Sequence, residues 1–480
     1  MLSEIQPKEI RIGEQRANIS GSREGGQARL RILEAATEFE ELRDAWSAWS
    51  DHPEADLDFF SIHLRHTPAV VRPHVMVVYR SGRPDCMLVG WLHQGPVAFK
   101  VGSFVLFRSD ARMLRFVVGG FLGNQSRENA QFLMREIIRS LHKHEAQAVE
   151  FSQLKVDSPL YNLAKREPNV LCREHFTPVQ NHPYLTLPAS FDEFLRGRSP
   201  KSRQEFRRLA RALVRDFPGK VRFQSVRSEC NVEDFARKAD DISKKTYQRA
   251  LGAGFVNDLA TREMLGAAAR KAALRACLLY VGDKPVAFAS GIVSNKTLYG
   301  TFMGYDPGFK KYRPGLQTLM CLIEESFESS GDLLRVDAGC GDVPYKRALF
   351  DSSWKEGPVW IFAPSTMGLT LHVIKVVSTL LHSLAMGLLA RSRHLRKVKK
   401  MWHRKTLREF QQASLGAPSC FSSFSATKFF DPARAEQAGL SRFHLGEVCK
   451  KCPAKQLYRE TLFGHLRTNG KTKDCNHELG

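Results

Sequence analysis

Apolar and polar positions along the chain form one arrangement that occurs twice. In the first pass an apolar run, Val75 to Tyr79, is followed by the turn residues SGRPD and a second run, CMLVGWL. A longer irregular stretch follows, then a helical pattern from Asn129 to Lys143 and the strand-like AVEFS from Ala148. In the second pass the run Ala276 to Tyr280 is followed by the turn GDK, the run PVAFASGIV and a further strand, TLYGTFMGY. A helical pattern from Gly315 to Ser329 and the strand LLRVDAG from Leu333 complete it. Each pass reads as hairpin, helix, strand, and the two are offset by about 185 to 200 residues. The pattern therefore predicts an α/β (α+β) protein with two similar units, and a further helical region over Val232 to Arg275.

Two more segments have helical periodicity. In SPKSRQEFRRLARALVRDF, Phe206, Leu209, Leu213 and Phe217 recur at i, i+3, i+7 and i+11, which predicts one amphipathic helix with an arginine-rich outer face, capped by Ser199 or Ser202. From Met367 to Ala390 the chain is most apolar, yet His372, Lys375, Thr379 and His382 make a polar stripe opposite Val373, Ile374, Val377, Leu381, Leu384 and Leu388. A lone membrane span would not keep that stripe, so the helix is expected either to pack on the domain or to lie on an anionic membrane surface through 367–405.

The chain has 480 residues, 72 Lys+Arg against 50 Asp+Glu and a formal charge of +22. That length suggests about two to three domains, and the composition is that of a globular protein. The positive excess is local: ten Lys/Arg fall between Leu195 and Arg222 and nine between Arg391 and Phe410. A basic helix face is either solvated or faces an anionic partner, and no zinc-finger, basic-zipper or RNP-type motif accompanies it. Ten scattered Cys and an N-terminus without an apolar core predict a reducing, cytoplasmic setting.

The chemical candidates cluster in GYDPGFKKYRPGLQTLMCLIEESFESSGDLLRVDAGCGDVPYKRALF. A strand ending in GYD, a Gly/Pro loop, a helix entered at Gly315 and a strand leading to D-x-G-x-G-x-x-x-Y-K resemble the CelD/BcsL (BioF-like) acetyltransferase family of the GNAT fold. That family is related to the FemAB/FemX transferases with tandem GNAT domains. The basic helix and KKTYQRALGAGF are similar to it as well, so the resemblance spans roughly Thr186 to Trp360 and extends weakly to Leu30.

The resemblance implies tandem GNAT-like domains, each a mixed twisted sheet flanked by helices. It divides the chain into a flexible leader (1–28), an N-terminal unit (29–185), a C-terminal acetyltransferase unit (186–362) with the basic helix at 199–217, an amphipathic and basic segment (363–410) and a Cys/Ser-rich tail (411–480). It implies direct transfer from acetyl-CoA or another acyl-CoA to an amino sugar or an envelope or exopolysaccharide precursor. Lys310, Lys311, Arg313 and Gly315 would hold the donor's phosphates, and Asp337, Tyr345 and Lys346 would carry catalysis. Asp337 would orient the amine or act as base, Tyr345 would return a proton to the thiolate and Lys346 would stabilise an anion. The alternative for Asp337 and Tyr345 is a turn cap and a packing residue. Tyr247, Gln248, Tyr305 and Asp306 are candidate substrate contacts, Asp306 being equally a turn starter. Two alternatives stay open: FemAB-like transfer from aminoacyl-tRNA, the one case needing nucleic acid, and a non-catalytic module of a polysaccharide synthesis complex. The chemistry needs no metal. Cys340 and the dispersed His63, His66 and His74 have no motif partners, and Cys449-x-x-Cys452 with Cys475-x-His477 reads as a zinc site or as free thiols in a disordered tail.

Overall fold

A computed structural model describes residues 28–101, 104–246, 249, 254–328, 333–341 and 344–391. The leader before residue 28, Tyr247, Gln248 and the tail with its Cys/His motif lie outside the described residues.

The strands are β1 (Arg29–Leu33), β2 (Val70–Pro73), β3 (Val75–Arg80), β4 (Arg83–Val101), β5 (Phe104–Gly123), β6 (Ala148–Lys155), β7 (Gln180–Thr186), β8 (Val221–Val226), β9 (Leu274–Val281), β10 (Lys284–Ser294), β11 (Thr297–Tyr305), β12 (Arg335–Asp337) and β13 (Ser352–Phe362). The helices are α1 (Arg43–Trp49), α2 (Leu57–His66), α3 (Arg127–His142), α4 (Pro159–Ala164), α5 (Phe191–Arg196), α6 (Pro200–Asp216), α7 (Val232–Ser243), α8 (Leu259–Arg270), α9 (Pro314–Glu328), α10 (Pro344–Leu349) and α11 (Thr366–Arg391).

All the strands join one mixed sheet in the order β1-β3-β4-β5-β6-β13-β7-β12-β11-β10-β9-β8, with β2 beside β4. The repeat is plain in its topology. β3, β4 and β5 form an antiparallel meander, α3 crosses over, and β6 returns parallel to β5. β9, β10 and β11 do the same, with α9 as the crossover and β12 parallel to β11. A parallel return needs a crossover of helical length, which is why each unit carries its helix there. The stretch expected to be irregular after CMLVGWL is instead the long hairpin of β4 and β5. Gly90, Gly95 and Pro96, and the outward-facing Arg108, Asp110 and Arg112, interrupt its apolar alternation and conceal the strands from a pattern reading.

The units meet through exchanged strands. β7 precedes the second unit and pairs with β12, whereas β13, from beyond that unit, pairs with both β7 and β6. α2 adds a second tie: Phe60 packs with Trp46 and Val77 in the first unit, while Phe59 and Ile62 pack with Phe235 and Met264 in the second. Lys271 pairs with Asp56 and Asp58 at the start of this helix.

α6 follows its periodicity. Ser199 accepts a hydrogen bond from the Ser202 N–H at 3.1 Å as its cap, and Phe206, Leu209 and Leu213 are buried. Lys201, Arg207, Arg208, Arg211 and Arg215 are exposed. α11 lies across β4 and β13. His372 is stacked on Phe362 and hydrogen-bonds the Leu171 carbonyl at 2.8 Å, Lys375 sits 5.0 Å from the Trp360 ring centre, and Ser378 is buried.

Candidate active site

β11 and β12 are paired over Thr297–Arg335, Leu298–Val336 and Tyr299–Asp337, after which β12 ends while β11 runs on to Tyr305 against β10 alone. The sheet therefore opens at Tyr299 and Asp337. The chain leaves β12 through Gly339 (φ 76°) and Gly341 (φ 101°), left-handed conformations that favour glycine, as D-x-G-x-G suggested. Asp337 Oδ1 accepts the Gly339 N–H at 2.7 Å, so it caps the turn. Lys346 Nζ donates to the carbonyls of Gly339 and Cys340 at 2.7 and 2.9 Å and pins the same turn to α10. Burial pushes this lysine down to about 8 and the Tyr345 hydroxyl up to about 12. The Cys340 thiol donates to Gln180 Oε1 at 3.3 Å and is pushed up by burial to about 12, the opposite of an activated nucleophile.

Alternation along the neighbouring strands assembles the rest. Asp337 lies opposite Tyr184, and His182 lies opposite Trp354, so the period of two brings His182 and Glu356 to the same face as Asp337. His182 bridges two carboxylates: Nε2 is 2.6 Å from Asp337 Oδ1 and Nδ1 is 2.7 Å from Glu356 Oε1. Trp354 stacks on the imidazole at 4.2 Å between ring centres and donates its indole N–H to Glu356 Oε2 at 2.7 Å. Burial disfavours charge on His182, but the two carboxylates outweigh it and raise its pKa to about 9. Both ring nitrogens then donate, and His182 is an imidazolium at neutral pH. Burial works against the Asp337 carboxylate too, yet the hydrogen bond and charge of His182 hold it below the usual aspartate range.

The first unit covers this opening with the loop between α1 and α2. Tyr299 donates its hydroxyl to the Asp51 carbonyl at 2.8 Å, and the His52 ring meets the Tyr299 ring edge-on at 4.7 Å. His52 Nδ1 accepts the Glu54 N–H at 3.2 Å, and burial lowers this histidine to about 4, so it stays neutral. Gly119, left-handed at φ 68°, lies under the loop; a Cβ there would come within 2.5 Å of the His52 Cβ. Glu54 Oε2 accepts the Val118 N–H at 3.3 Å. Burial, with the Glu356 charge adding to it, raises Glu54 to about 7. A carboxyl titrating near neutrality beside a fixed ion cluster is suited to accepting a proton.

The far end of β11, Tyr305, is six residues or about 20 Å beyond Tyr299, and the start of α9 packs beside it. Asp306 Oδ1 caps the Pro307–Tyr312 turn through the Gly308 N–H at 2.9 Å, and Oδ2 pairs with Lys245 and Lys284 at 3.1 and 2.9 Å. Burial opposes its charge, but these partners leave its pKa lowered, and its turn-starting role is the one its contacts show. Arg313 is left-handed (φ 46°) and leads into Pro314, the first residue of α9, where the absent N–H is no loss. The half-buried Tyr305 lies beside Gly315, where a Cβ would be 3.3 Å from its ring. Lys310 belongs to the same turn. Lys311 pairs with Asp216 at 3.1 Å and Arg313 with Glu205 at 2.7 Å, tying the loop to α6.

The candidates thus fall into two groups: Asp337, Tyr345 and Lys346 at the opening, and Tyr305, Asp306, Lys310, Lys311, Arg313 and Gly315 at the helix start. His182, Glu356, Trp354, Tyr299, His52 and Glu54 went unrecognised in the sequence. The one readable signal was a polar or aromatic residue at alternate positions, His182 and Tyr184 in one strand and Trp354 and Glu356 in another.

Residues 200–347 match the family model described as the acetyltransferase (GNAT) domain. This segment is a GNAT domain. The chain is accordingly an acyltransferase, and domains of this class use an acyl-CoA as co-substrate together with an acceptor. The match includes both candidate groups but stops short of His182, Glu356 and Glu54, which come from outside it. Among solved structures, a tandem GNAT protein from the clavulanic acid biosynthesis pathway is similar over 71% of this chain and 100% of its own, at 13% identity and TM-score 0.45. FemX is similar over 67% and 95%, at 11% identity and TM-score 0.46. The C-terminal domain of a putative lysylphosphatidylglycerol synthetase from Agrobacterium fabrum is similar over 70% and 95%, at 11% identity and TM-score 0.42. Comparison with curated proteins returned no sequence match.

Proposed function

We propose that the protein transfers an acyl group from an acyl-CoA, acetyl-CoA in the simplest case, to an amine or hydroxyl of an amino sugar or an envelope or exopolysaccharide precursor, as the CelD-type resemblance implies. The observation that carries this reading is the opening of the sheet at Tyr299 and Asp337, with an ion cluster at its inner end and the start of α9 about 20 Å along β11. An extended pantetheine arm bridges such a span. Its pyrophosphate would rest at the start of α9, where the helix dipole favours an anion and Lys310, Lys311 and Arg313 supply charge. The ion pairs of Lys311 and Arg313 are half-exposed and weak enough to be exchanged for phosphate contacts.

In the proposed step the acceptor nitrogen or oxygen attacks the thioester carbon, the C–S bond breaks and the coenzyme A thiolate leaves. Glu54 takes the proton released by the attacking group. Asp337, held as a carboxylate by His182, orients the acceptor instead of serving as base. Tyr345 returns a proton to the thiolate, and Lys346 supports the turn. A protein acting in this way on envelope precursors would work at the inner face of the membrane.

A second reading rests on α6, whose exposed arginines adjoin the donor loop through Glu205 and Asp216. That surface would suit an aminoacyl-tRNA donor. Calorimetric titration with acetyl-CoA separates the readings. Saturable binding, weakened about tenfold or more in Lys310→Ala/Arg313→Ala, is expected. Absence of heat, with ribonuclease-sensitive transfer, would replace acyl-CoA by aminoacyl-tRNA. A panel of amino sugars with thiol release as readout then tests the acceptor.

A further inference from the structure

α11 presents its faces in the reverse of the usual order. A helix on a globular domain turns its apolar stripe inward and its polar stripe to water. Here His372, Lys375 and Ser378 face the sheet, with Leu371 and Ile374 as the large hydrocarbons packed there. Burial lowers the Lys375 pKa, so seating it inward works against its charge. The outward stripe is Val373, Val377, Leu380, Leu381 and Leu384, each between 42% and 63% exposed. The segment Thr366–Ala385 is long and apolar enough to cross a bilayer, yet the first half of α11 packs on β4 and β13 through Leu371, Ile374, Lys375 and Ser378. The β4–β5 hairpin also exposes Val105, Leu106 and Phe107. Phe107 contacts Phe99, which packs in the same cluster as Leu371.

We propose that the outer face of α11 docks on an anionic lipid bilayer, laying its aliphatic stripe among the acyl chains while the body of the protein stays in water. Two observations favour lipid over a protein partner. The stripe is aliphatic and has none of the aromatic anchors or ordered polar groups that protein interfaces concentrate. The sequence following it, Arg391 to Phe410, carries nine Lys/Arg against Glu409, the charge complement of an anionic headgroup layer. The inference is independent of the acyl donor and goes beyond the proposed reaction.

The test is flotation of the full chain with phosphatidylglycerol-containing vesicles and with pure phosphatidylcholine vesicles at physiological salt. Wild-type protein is expected to float with the anionic vesicles at least tenfold more than with the zwitterionic ones. Val377→Asp/Leu384→Asp, both at exposed positions, is expected to lose that partition at least tenfold with an unchanged melting temperature. Lys399→Glu/Lys400→Glu is expected to weaken it and flatten its salt dependence. No flotation with either vesicle, or equal flotation of the aspartate variant, overturns the proposal. It is equally overturned by a lipid-free dimer that the aspartate variant converts to monomer, or by slow peptide-resolved maleimide labelling of Val377→Cys in lipid-free monomer, which would assign the stripe to a second copy or to the chain's own C-terminal segment.

Discussion

The two units share a topology but differ at the point where their parallel strands part. In the second unit the last parallel pair is Tyr299 and Asp337, and in the first it is Phe116 and Phe151. The phenylalanine rings stack at 5.1 Å inside the core with Met134, Ile137 and Leu160. The first opening is thus filled by hydrocarbon, and the second is lined by ions. The two mouths lie at the same place in the repeated topology, and they differ in the side-chain chemistry at that register position. The first unit retains a part in the other's site, because its α1–α2 loop brings Asp51, His52 and Glu54 over Tyr299.

Mutation can test this division from both sides. The largest effect is expected for Asp337→Asn, which removes the charge facing His182: turnover should fall about 10² to 10⁴-fold in a thiol-release assay. Wild-type turnover in that variant would take Asp337 out of the mechanism. Phe151→Ala should cost about 3 to 5 kcal/mol of stability in denaturant unfolding while leaving KM for the donor unchanged. A specific loss of donor binding there would mean that the first mouth also takes substrate. Glu54→Gln should lower kcat/KM about 10²-fold and remove the inflection near pH 7 from its pH profile. An unshifted profile would move the base elsewhere.

A smaller effect separates the units by pH. His182 has a folded pKa raised to about 9 from 6.5, so the stability it contributes is complete below pH 6.5 and is lost as pH rises through about 9. The loss should be on the order of 3 kcal/mol, and His182→Gln should flatten it in melting curves across that range. The histidine beside the first mouth, His74, lies edge-on to Phe116 and burial lowers its pKa instead of raising it, so Phe116→Leu should leave that pH dependence intact. The smallest effect is expected for Glu205→Ala, whose half-exposed pair with Arg313 is worth about 0.2 to 1 kcal/mol. It should change donor affinity more than stability.

Local signals in the chain were readable and distant ones were not. The hairpin at Val75–Tyr79, the cap and buried stripe of α6 and the turn glycines after Asp337 each depend on neighbours within a few residues, and periodicity or turn chemistry exposes such features. The Gly/Pro turn that leads into α9 was legible for the same reason. His182 was not, because its partners Asp337 and Glu356 lie 155 and 174 positions away. What joins them is the lateral order of β12, β7 and β13, which no spacing encodes. Glu54 depended on the same kind of distant contact, since its raised pKa comes from burial in the folded chain with the Glu356 charge adding to it. The orientation of α11 was half legible: its two stripes were evident, but which one met the protein was decided by Phe362, Trp360 and Leu171.

The exchange of β7 and β13 has a consequence for synthesis on the ribosome. The first unit's sheet is closed by β13, which leaves the ribosome about 200 residues after β6. Until then β6, paired with β5 on one side, leaves its other edge open, a template for misassembly between neighbouring chains. Premature termination before Ser352 would strand both units at once, since β7 would lose a partner together with β6. The opening beside Tyr299 and Asp337, whose ion cluster takes Glu356 from that same strand, is therefore among the last parts of the molecule to be completed.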